Sequence, residues 1–567
     1  APSAPDPVMR SFDLPCTQKI EGGQKMNNGH FTVPEPINEP AKGYLPGSPE
    51  RASLKAELER QSQTVVEIPI IIGGKEYKTG NMGTVVMPHD HGHVLAKYHI
   101  AGEKELRMAM DAAMEAKEMW EALPWEHRAS IFLKAAELLA GPRRDKMNAA
   151  TMLGQSKTAY QAEIDSACEL TDFLRYNVYY AEQLYKQQPS NSWAVWDHME
   201  YRPLEGFVMA LSPFNFTSIG GNLPTAPAIM GNTVVWKPSQ TATLSNYYFM
   251  RLLEEAGLPA GVINFVPCRG SDVSRYVLSD PRMAGFHFTG STEVFSSVWP
   301  LVGENIKSYR SYPRLVGETG GKDFIFAHNS SDVPALVSAM VRGAFEYQGQ
   351  KCSAVSRVYV PKSIWPEVKE GVLAETAKLK VGDPRDFTSF MCAVIDKKAF
   401  DSIAGYIDYA KESPDAEVLC GGYDGSKGYF VQPTVIQALK PDFKTMKEEI
   451  FGPVMTVYVY EDEELDAMLK ECDEGSPYAL SGAIFAQDRL AIAKMEAALK
   501  NAAGNFYIND KPTGAVVGRQ PFGGARASGT NDKAGSMLNL IRWASPRTVK
   551  ECFLPTGEIT YGYMAEE

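Results

Sequence analysis

From Gly206 onward the chain alternates short continuous apolar runs with amphipathic stretches. Phe207-Val208-Met209-Ala210-Leu211, Thr233-Val234-Val235-Trp236, Val262-Ile263-Asn264-Phe265-Val266 and Gly285-Phe286-His287-Phe288 are such runs. Strands covered on both faces read this way, because neither face meets water. Between them, helices are expected to begin at Ser239 or Thr241, at Ser271 and at Ser291, each a residue type that caps a helix N-terminus. Strand alternating with helix predicts a doubly wound parallel sheet. A second series follows. It comprises Asp323 to Phe326, a helix over Val333 to Phe345, a strand at Arg357 to Val360, a helix from Trp365 to Leu379, and strands at Lys427 to Val435, Met455 to Tyr460 and Ala479 to Phe485.

The N-terminal part has a different pattern. Residues 1–60 are rich in Pro, Gly and Asn until Ser53 to Glu57, and read as an extended arm ending in a short helix. Ile68 to Ile72, the pair Gly73-Gly74 and Lys75 to Tyr77 read as a hairpin. Apolar residues at helical spacing predict helices through Leu106 to Trp120 and Ile131 to Leu139, and one uninterrupted helix over Ala162 to Gln187. Trp193 to Tyr201 alternates like a projecting strand, and Lys550 to Tyr563 like an edge strand suited to subunit pairing. The expected division is an arm over 1–60, a nucleotide-binding domain over 61–186 and 204–316, a catalytic domain over 317–525, and an oligomerisation element over 187–203 and 526–567.

Composition narrows the possibilities. A chain of 567 residues is too long for one core. The net charge of −12 disfavours nucleic acid and anionic membranes as partners. The long uncharged stretch Gly206 to Trp236 holds Pro213, Pro224, Pro227 and Gly220-Gly221, which forbid a single membrane-spanning helix. Eight scattered cysteines form no disulfide framework and no zinc motif. His89, His91 and His93 alternate beside Asp90 and Gly92, which reads as a solvated turn, so no metal is expected.

One cysteine stands on a tight connection. Gly349-Gln350-Lys351-Cys352-Ser353 joins the helix ending near Tyr347 to the strand Arg357 to Val360. A thiol attacks only as thiolate, and Lys351 is a nearby source of positive charge. Five other stretches accompany it in order: Ser212-Pro213-Phe214-Asn215-Phe216, Trp236-Lys237-Pro238-Ser239, Phe288-Thr289-Gly290-Ser291-Thr292, Glu318-Thr319-Gly320-Gly321-Lys322, and Lys447-Glu448-Glu449-Ile450-Phe451-Gly452-Pro453. In order and spacing the set resembles the aldehyde dehydrogenase superfamily. Phe345 to Ala354, Gly504 to Lys511 and Pro521 to Asp532 resemble its proline-catabolic branch, the 1-pyrroline-5-carboxylate (glutamate-5-semialdehyde) dehydrogenases.

The resemblance implies Cys352 as nucleophile, Asn215 and the Cys352 N–H as oxyanion donors, and Glu318 as general base for hydrolysis of the thioester. It implies NAD as cofactor. Lys237 and Glu449 would bind the riboses, Gly290, Ser291 and Thr292 would lie at the diphosphate, Ser212 would supply a backbone or hydroxyl contact, and Phe451 would pack near the nicotinamide. For the substrate, glutamate semialdehyde, it implies Gly514, Ala515 and Ser353 at the carboxylate and Phe216 and Phe522 around the aliphatic chain. A homodimer or larger homo-oligomer in the mitochondrial matrix follows by the same resemblance.

Three positions depart from the pattern. Gln240 stands where many relatives carry the Glu that selects NAD over NADP. Phe295 replaces a Gly of the diphosphate helix, so a different approach of that helix is expected. Ala515 replaces a frequent Ser, removing one hydrogen bond. Alternatives are a CoA-acylating or differently selective aldehyde dehydrogenase, which Glu318 disfavours on the first count; a non-catalytic binding protein; and a thiol hydrolase, for which no His–Asp set lies near Cys352 in sequence.

Overall fold

The computed structural model describes residues 29–566. Of the expected arm, residues 1–28, with Cys16, lie outside the described residues. Residues 29–48 run extended and are strapped to the helical layer by hydrogen bonds: Val33 N–H to Glu182 (2.8 Å), Asn38 Nδ2 to Asp172 (2.8 Å) and Tyr44 Oη to Glu163 (2.7 Å). The helix Pro49–Ser62 follows, capped by Ser48, whose hydroxyl accepts from Arg51 N–H.

Two large sheets organise the chain. The first places its strands in the order Arg314–Glu318, Met283–Thr289, Phe207–Leu211, Thr233–Lys237, Ile263–Phe265, Ile70–Ile72 and Lys75–Tyr77. The first five are parallel, and the Gly73-Gly74 hairpin closes the far edge antiparallel. Chain order reverses between Phe207–Leu211 and Met283–Thr289, and such a switch point opens a crevice at the carboxyl ends of the strands. The second sheet runs Ala416–Asp424, Phe430–Ala438, Val454–Tyr460, Val355–Pro361, Asp323–Ala327, Ser481–Phe485 and Asn505–Ile508, parallel except at Ala416–Asp424. Apolar side chains cover both faces of each sheet, which is why these strands read as unbroken apolar runs.

Three helical expectations change. The helix expected over 162–187 contains a π-helical segment, Glu163–Glu169, between Ala159–Ala162 and Leu170–Tyr185. It carries Glu163, Asp165 and Glu169, and apolar spacing cannot distinguish a π turn from an α turn. The next helix starts at Thr243 instead of Ser239 or Thr241, with the Thr243 hydroxyl turned back to the Ser239 carbonyl. Most consequential is Thr217–Ile229, a helix that runs through both Pro224 and Pro227. Each proline removes the N–H that the carbonyl four residues earlier needs. The Ser212 hydroxyl supplies the donor to Gly220 O (3.1 Å), and His287 Nδ1 to Leu223 O (2.9 Å). At the open N-terminus, Asp165 accepts from Thr217 N–H (3.0 Å) and Ser218 N–H (2.8 Å).

The projecting strand is Val195–Pro203, paired antiparallel with Ala544–Cys552. The strand expected over 550–563 therefore begins earlier and ends at Cys552, ahead of Pro555 and Gly557, which do not extend a ladder. His89 sits in the turn between Met82–Met87 and Asp90–His99, while His91 and His93 lie on the second of these strands. Among the described residues no cluster of His, Cys, Asp and Glu is arranged to hold a metal, and no helix is long and apolar enough to cross a membrane.

Candidate active site

Cys352 lies where expected, in the turn between the helix Val333–Phe345 and the strand Val355–Pro361. The chain enters this turn through three left-handed residues, Tyr347 (φ 53°), Gln348 (φ 54°) and Gly349 (φ 63°). A Cβ on Gly349 would sit 2.2 Å from the Gly452 carbonyl, so the close approach excludes any side chain. Two non-glycine residues in this region cost about 1–3 kcal/mol each. The hydrogen bonds of Gln348 hold them there: Nε2 donates to Ser156 O (2.9 Å) and Ala393 O (2.8 Å), and Oε1 accepts from Cys392 N–H (2.9 Å). Gln350 Oε1 accepts from Ile395 N–H (2.9 Å).

Asn215 meets this turn from the first sheet. Its Nδ2 donates to Gln350 O (3.1 Å), two residues before the thiol, and its second amide hydrogen is free. Glu318 is the last residue of Arg314–Glu318. Glu318 and Cys352 line one cavity with Ser353, Gly514, Ala515, Phe216 and Phe522, so the two sheets bring every expected substrate residue together. The Ser353 and Thr513 hydroxyls are hydrogen bonded (2.8 Å), and Lys511 Nζ donates to Thr513 O (3.2 Å), which fixes the loop 513–515.

The surroundings of the thiol oppose its ionisation. Burial pushes the Cys352 thiol well up, and Asp323, Glu318 and Glu449 add to the effect. Burial likewise lifts the Glu318 carboxyl; Asp532 raises it further, while the Gly524 N–H and Lys533 oppose. The charge expected of Lys351 is paired with a carboxylate. Burial brings Lys351 down to about 8, and its ammonium turns to Glu346 (3.3 Å). Burial thus disfavours both charged forms, so attack requires loss of the thiol proton and hydrolysis requires Glu318 in its carboxylate form.

Of the expected cofactor residues, Lys237, Gly290 and Ser291 lie at the carboxyl ends of first-sheet strands, while Glu449 and Phe451 precede Val454–Tyr460 of the second. Lys237 ends Thr233–Lys237, and its ammonium makes one bond, to Pro238 O (3.2 Å), leaving two donors. Glu449 accepts from Gly321 N–H (2.9 Å) through Oε1; burial lifts it to about 7, with the Gly321 N–H and Lys322 opposing. Gly290 and Ser291 lead into the helix Thr292–Glu304, where the Ser291 hydroxyl accepts from Val294 N–H. The first-turn N–H groups there suit a diphosphate. Phe451 adopts φ 57° and packs edge-on against Phe214 (5.8 Å). These groups fit a dinucleotide.

Two expected contacts are engaged elsewhere. The Ser212 hydroxyl accepts from Trp236 Nε1 (2.8 Å) and donates to Gly220, and its N–H donates to Lys237 O (3.1 Å), leaving at most its carbonyl for a cofactor. The Thr292 hydroxyl donates to Ala527 O (3.2 Å) and accepts from Gly320 N–H (3.3 Å), joining the sheets instead. Phe295 does not crowd the diphosphate helix. Its ring turns inward, stacks on Phe288 (5.4 Å), and occupies the space a Cβ on Gly317 would need.

Sequence reasoning missed part of the cavity. Glu169, Phe173, Asn222, His287, Thr513 and Asn539 also line it. Glu169 accepts from Ser218 Oγ (2.9 Å); burial lifts it to about 8, Asp165 adds to that, and Lys157 opposes. Behind it, Lys157 and Asp165 form a fully buried ion pair (2.8 Å), with the ammonium 4.0 Å from the Phe216 ring centre and 4.3 Å from that of Tyr347. The Thr513 hydroxyl next to Gly514 was the one local signal; nothing in sequence pairs Lys157 with Asp165 or aims Glu169 into the cavity.

This arrangement matches known proteins closely. A delta-1-pyrroline-5-carboxylate dehydrogenase, mitochondrial, of Dictyostelium discoideum is 54% identical over 544 residues, covering 95% of this chain and 98% of the relative. The human protein of that name is 49% identical over 537 residues, covering 94% and 95%. The crystal structure of a Delta-pyrroline-5-carboxylate dehydrogenase from Mycobacterium tuberculosis bound with NAD superposes with a TM-score of 0.91 at 52% identity, covering 94% of this chain and 99% of that one. A 1-pyrroline-5-carboxylate dehydrogenase from Thermus with bound NAD gives 0.86 at 30% identity, covering 92% and 100%. Residues 77–548 match the Aldehyde dehydrogenase family as a whole. With a cysteine on a strained turn, a carboxyl across the cavity and a dinucleotide platform at the switch point, the chain belongs to the aldehyde dehydrogenase family.

Proposed function

We propose that this enzyme oxidises L-glutamate 5-semialdehyde, the open form of 1-pyrroline-5-carboxylate, to L-glutamate with NAD, the second step of proline degradation. The observation that carries the reading is the composition of one cavity: a nucleophile, a base, and a carboxylate cradle at Ser353, Thr513, Gly514 and Ala515, with the Glu169 carboxyl as partner for an ammonium. A plain aldehyde needs only the first two.

Cys352, its S–H proton released to solvent, attacks the aldehyde carbon as thiolate, and Asn215 Nδ2 with the Cys352 N–H holds the oxyanion; one such donor contributes about 3 kcal/mol. NAD, when bound, supplies the hydride acceptor. Loss of hydride leaves the acyl group as a thioester on Cys352. Glu318 then takes a proton from water as the water oxygen bonds the acyl carbon, the C–S bond breaks, and glutamate leaves. Lys237 and Glu449 hold the riboses. The Ser291 end of its helix holds the diphosphate. Phe216 and Phe522 flank the aliphatic chain.

The same reading assigns residues 61–186 and 204–316 to cofactor binding, 317–525 to catalysis, and 187–203 with 526–567 to subunit pairing. The exposed Trp193 and Trp196 of the projecting ribbon support a homo-oligomer, and the mitochondrial relatives support the mitochondrial matrix as location.

The test is NADH formation from pyrroline-5-carboxylate against simple aldehydes, with and without CoA. A strong preference for the former, unaffected by CoA, is expected. Equal kcat/KM on propanal refutes the substrate, and acyl-CoA product refutes hydrolysis.

A further inference from the structure

The cavity continues past Glu318 into a polar recess that the reaction as derived leaves unused. In the parallel register Thr289 pairs with Glu318 and His287 with Val316. Alternate residues of a strand share a face, so His287 lies on the Glu318 side of the sheet, about 7 Å deeper along the strand. Asn222 and Asn539 line the same recess. Their exposures are 2% for Asn222, 3% for His287 and 3% for Asn539. Such deeply buried polar groups are expected to be satisfied.

Each has one bond and one unused polar atom. His287 Nδ1 faces Leu223 O, which can only accept, so Nδ1 carries the hydrogen and Nε2 is a bare acceptor. Asn222 Oδ1 accepts from Asn177 Nδ2 (2.8 Å), leaving the Asn222 amide hydrogens. Asn539 Oδ1 accepts from Trp543 Nε1 (3.3 Å), leaving its amide hydrogens. The Trp543 ring lies tilted against His287 (4.6 Å), Asn539 bonds Trp543, and Leu223 adjoins Asn222, which places the three groups in one neighbourhood of the cavity. Glu318 Oε2, shielded from solvent, also has no partner. A buried water needs two to four polar partners. Here two donors and one acceptor line the same cavity as the partnerless Oε2 of Glu318. The whole cavity, shared with Cys352 and the substrate loop, measures ≈ 90 Å³, more than a single water needs.

We propose that this recess is an internal water store: waters held by His287 Nε2, Asn222 Nδ2 and Asn539 Nδ2 reach Glu318 and supply the molecule that hydrolyses the acyl group on Cys352. The proposal rests on the reading of Cys352 and Glu318 above. In the step it serves, the stored water loses one proton to Glu318, its oxygen bonds the acyl carbon, and the sulfur leaves with the C–S electrons. His287, Asn222 and Asn539 are positioning residues, since they act through the water.

The experiment is rapid-mixing NADH formation by the full-length enzyme and its His287→Leu, Asn539→Leu and His287→Gln variants, with melting temperatures measured alongside. In the two Leu variants, a burst near one NADH per site at the wild-type rate is expected, followed by a steady state slowed roughly tenfold. His287→Gln keeps a donor for Leu223 and an acceptor for water and restores turnover. A purely structural role would slow burst and steady state together and raise KM. Should His287→Leu not fold, Asn539→Leu leaves the Leu223 bond intact and decides. Unchanged burst-to-steady-state partition in a folded Leu variant overturns the proposal, as does a dry recess in a high-resolution crystal structure of the wild type. Wild-type enzyme that forms no NADH from pyrroline-5-carboxylate would refute the proposed function instead.

Discussion

Replacing Lys157 with Met should damage both stability and catalysis through one broken ion pair. The ammonium is fully buried, 2.8 Å from Asp165 and pressed between the rings of Phe216 and Tyr347. Met keeps the stem and removes the charge. Asp165 is then a buried carboxylate with two backbone N–H partners and no cation. Removing one partner of a buried pair costs about 3–5 kcal/mol, and the two surviving hydrogen bonds place this site near 3. Asp165 also holds the first turn of Thr217–Ile229, directly after Asn215 and Phe216, so its loss of balance moves the oxyanion donor. A displacement of about 1 Å costs on the order of 10²-fold in rate. The check is urea unfolding followed by fluorescence of the buried Trp120, Trp236 and Trp543, together with kcat/KM. The double variant Lys157→Met/Asp165→Asn removes both charges and should recover about 2 kcal/mol relative to additivity. Additive losses would refute the argument, because they would mean that the two side chains do not depend on each other.

Other outcomes follow from the same geometry. Asn215→Ala should lower kcat by about 10²–10³-fold with little change in KM, since the lost donor acts on the oxyanion; a change confined to KM would contradict that role. Alkylation of Cys352 by iodoacetamide should accelerate with pH beyond the usual thiol value of 9.0, because burial and three carboxyls hold the thiol protonated; a plateau below it would refute this. Glu169 is raised from 4.5 to about 8, so folding favours its protonated form. Its contribution is intact below pH 4.5 and is lost as pH rises through 8. Glu169→Gln should flatten that part of the stability–pH curve, and an unchanged curve would show that Glu169 does not titrate there. Gly321→Ala should yield folded, inactive protein, as its Cβ would fall 2.4 Å from the Cys352 carbonyl and 2.3 Å from Asp323; retained activity in a kinetic assay would show that the turn can yield.

Much of the site was legible because its residues sit beside features that a linear pattern displays. Cys352 follows a helix and precedes a strand, Glu318 and Lys237 end apolar runs, and Ser291 caps a helix. The misreadings have physical causes. The prolines do exclude a membrane-spanning helix, as read, but a shorter helix tolerates Pro224 and Pro227 because the orphaned carbonyls find donors in Ser212, just past one strand, and His287 on another. Lys351 read as a cation for the thiol, but its ammonium is bonded to Glu346. Phe295 read as forcing a different approach of the diphosphate helix because the space at Gly317 is invisible without the sheet.

By itself, then, the sequence determined which segments become strands and helices, the chemistry available at Cys352, Glu318 and Asn215, and the family to which these belong. These depend on neighbours a few residues apart, where periodicity and capping act. Only the tertiary structure decided the protonation of the thiol and its base, the pairing of Lys157 with Asp165, the turning inward of Phe295, and the gathering of Asn222, His287 and Asn539 behind Glu318. Those outcomes depend on which groups lose water together, and burial is a property of two sheets meeting across a cavity, not of any one stretch of chain.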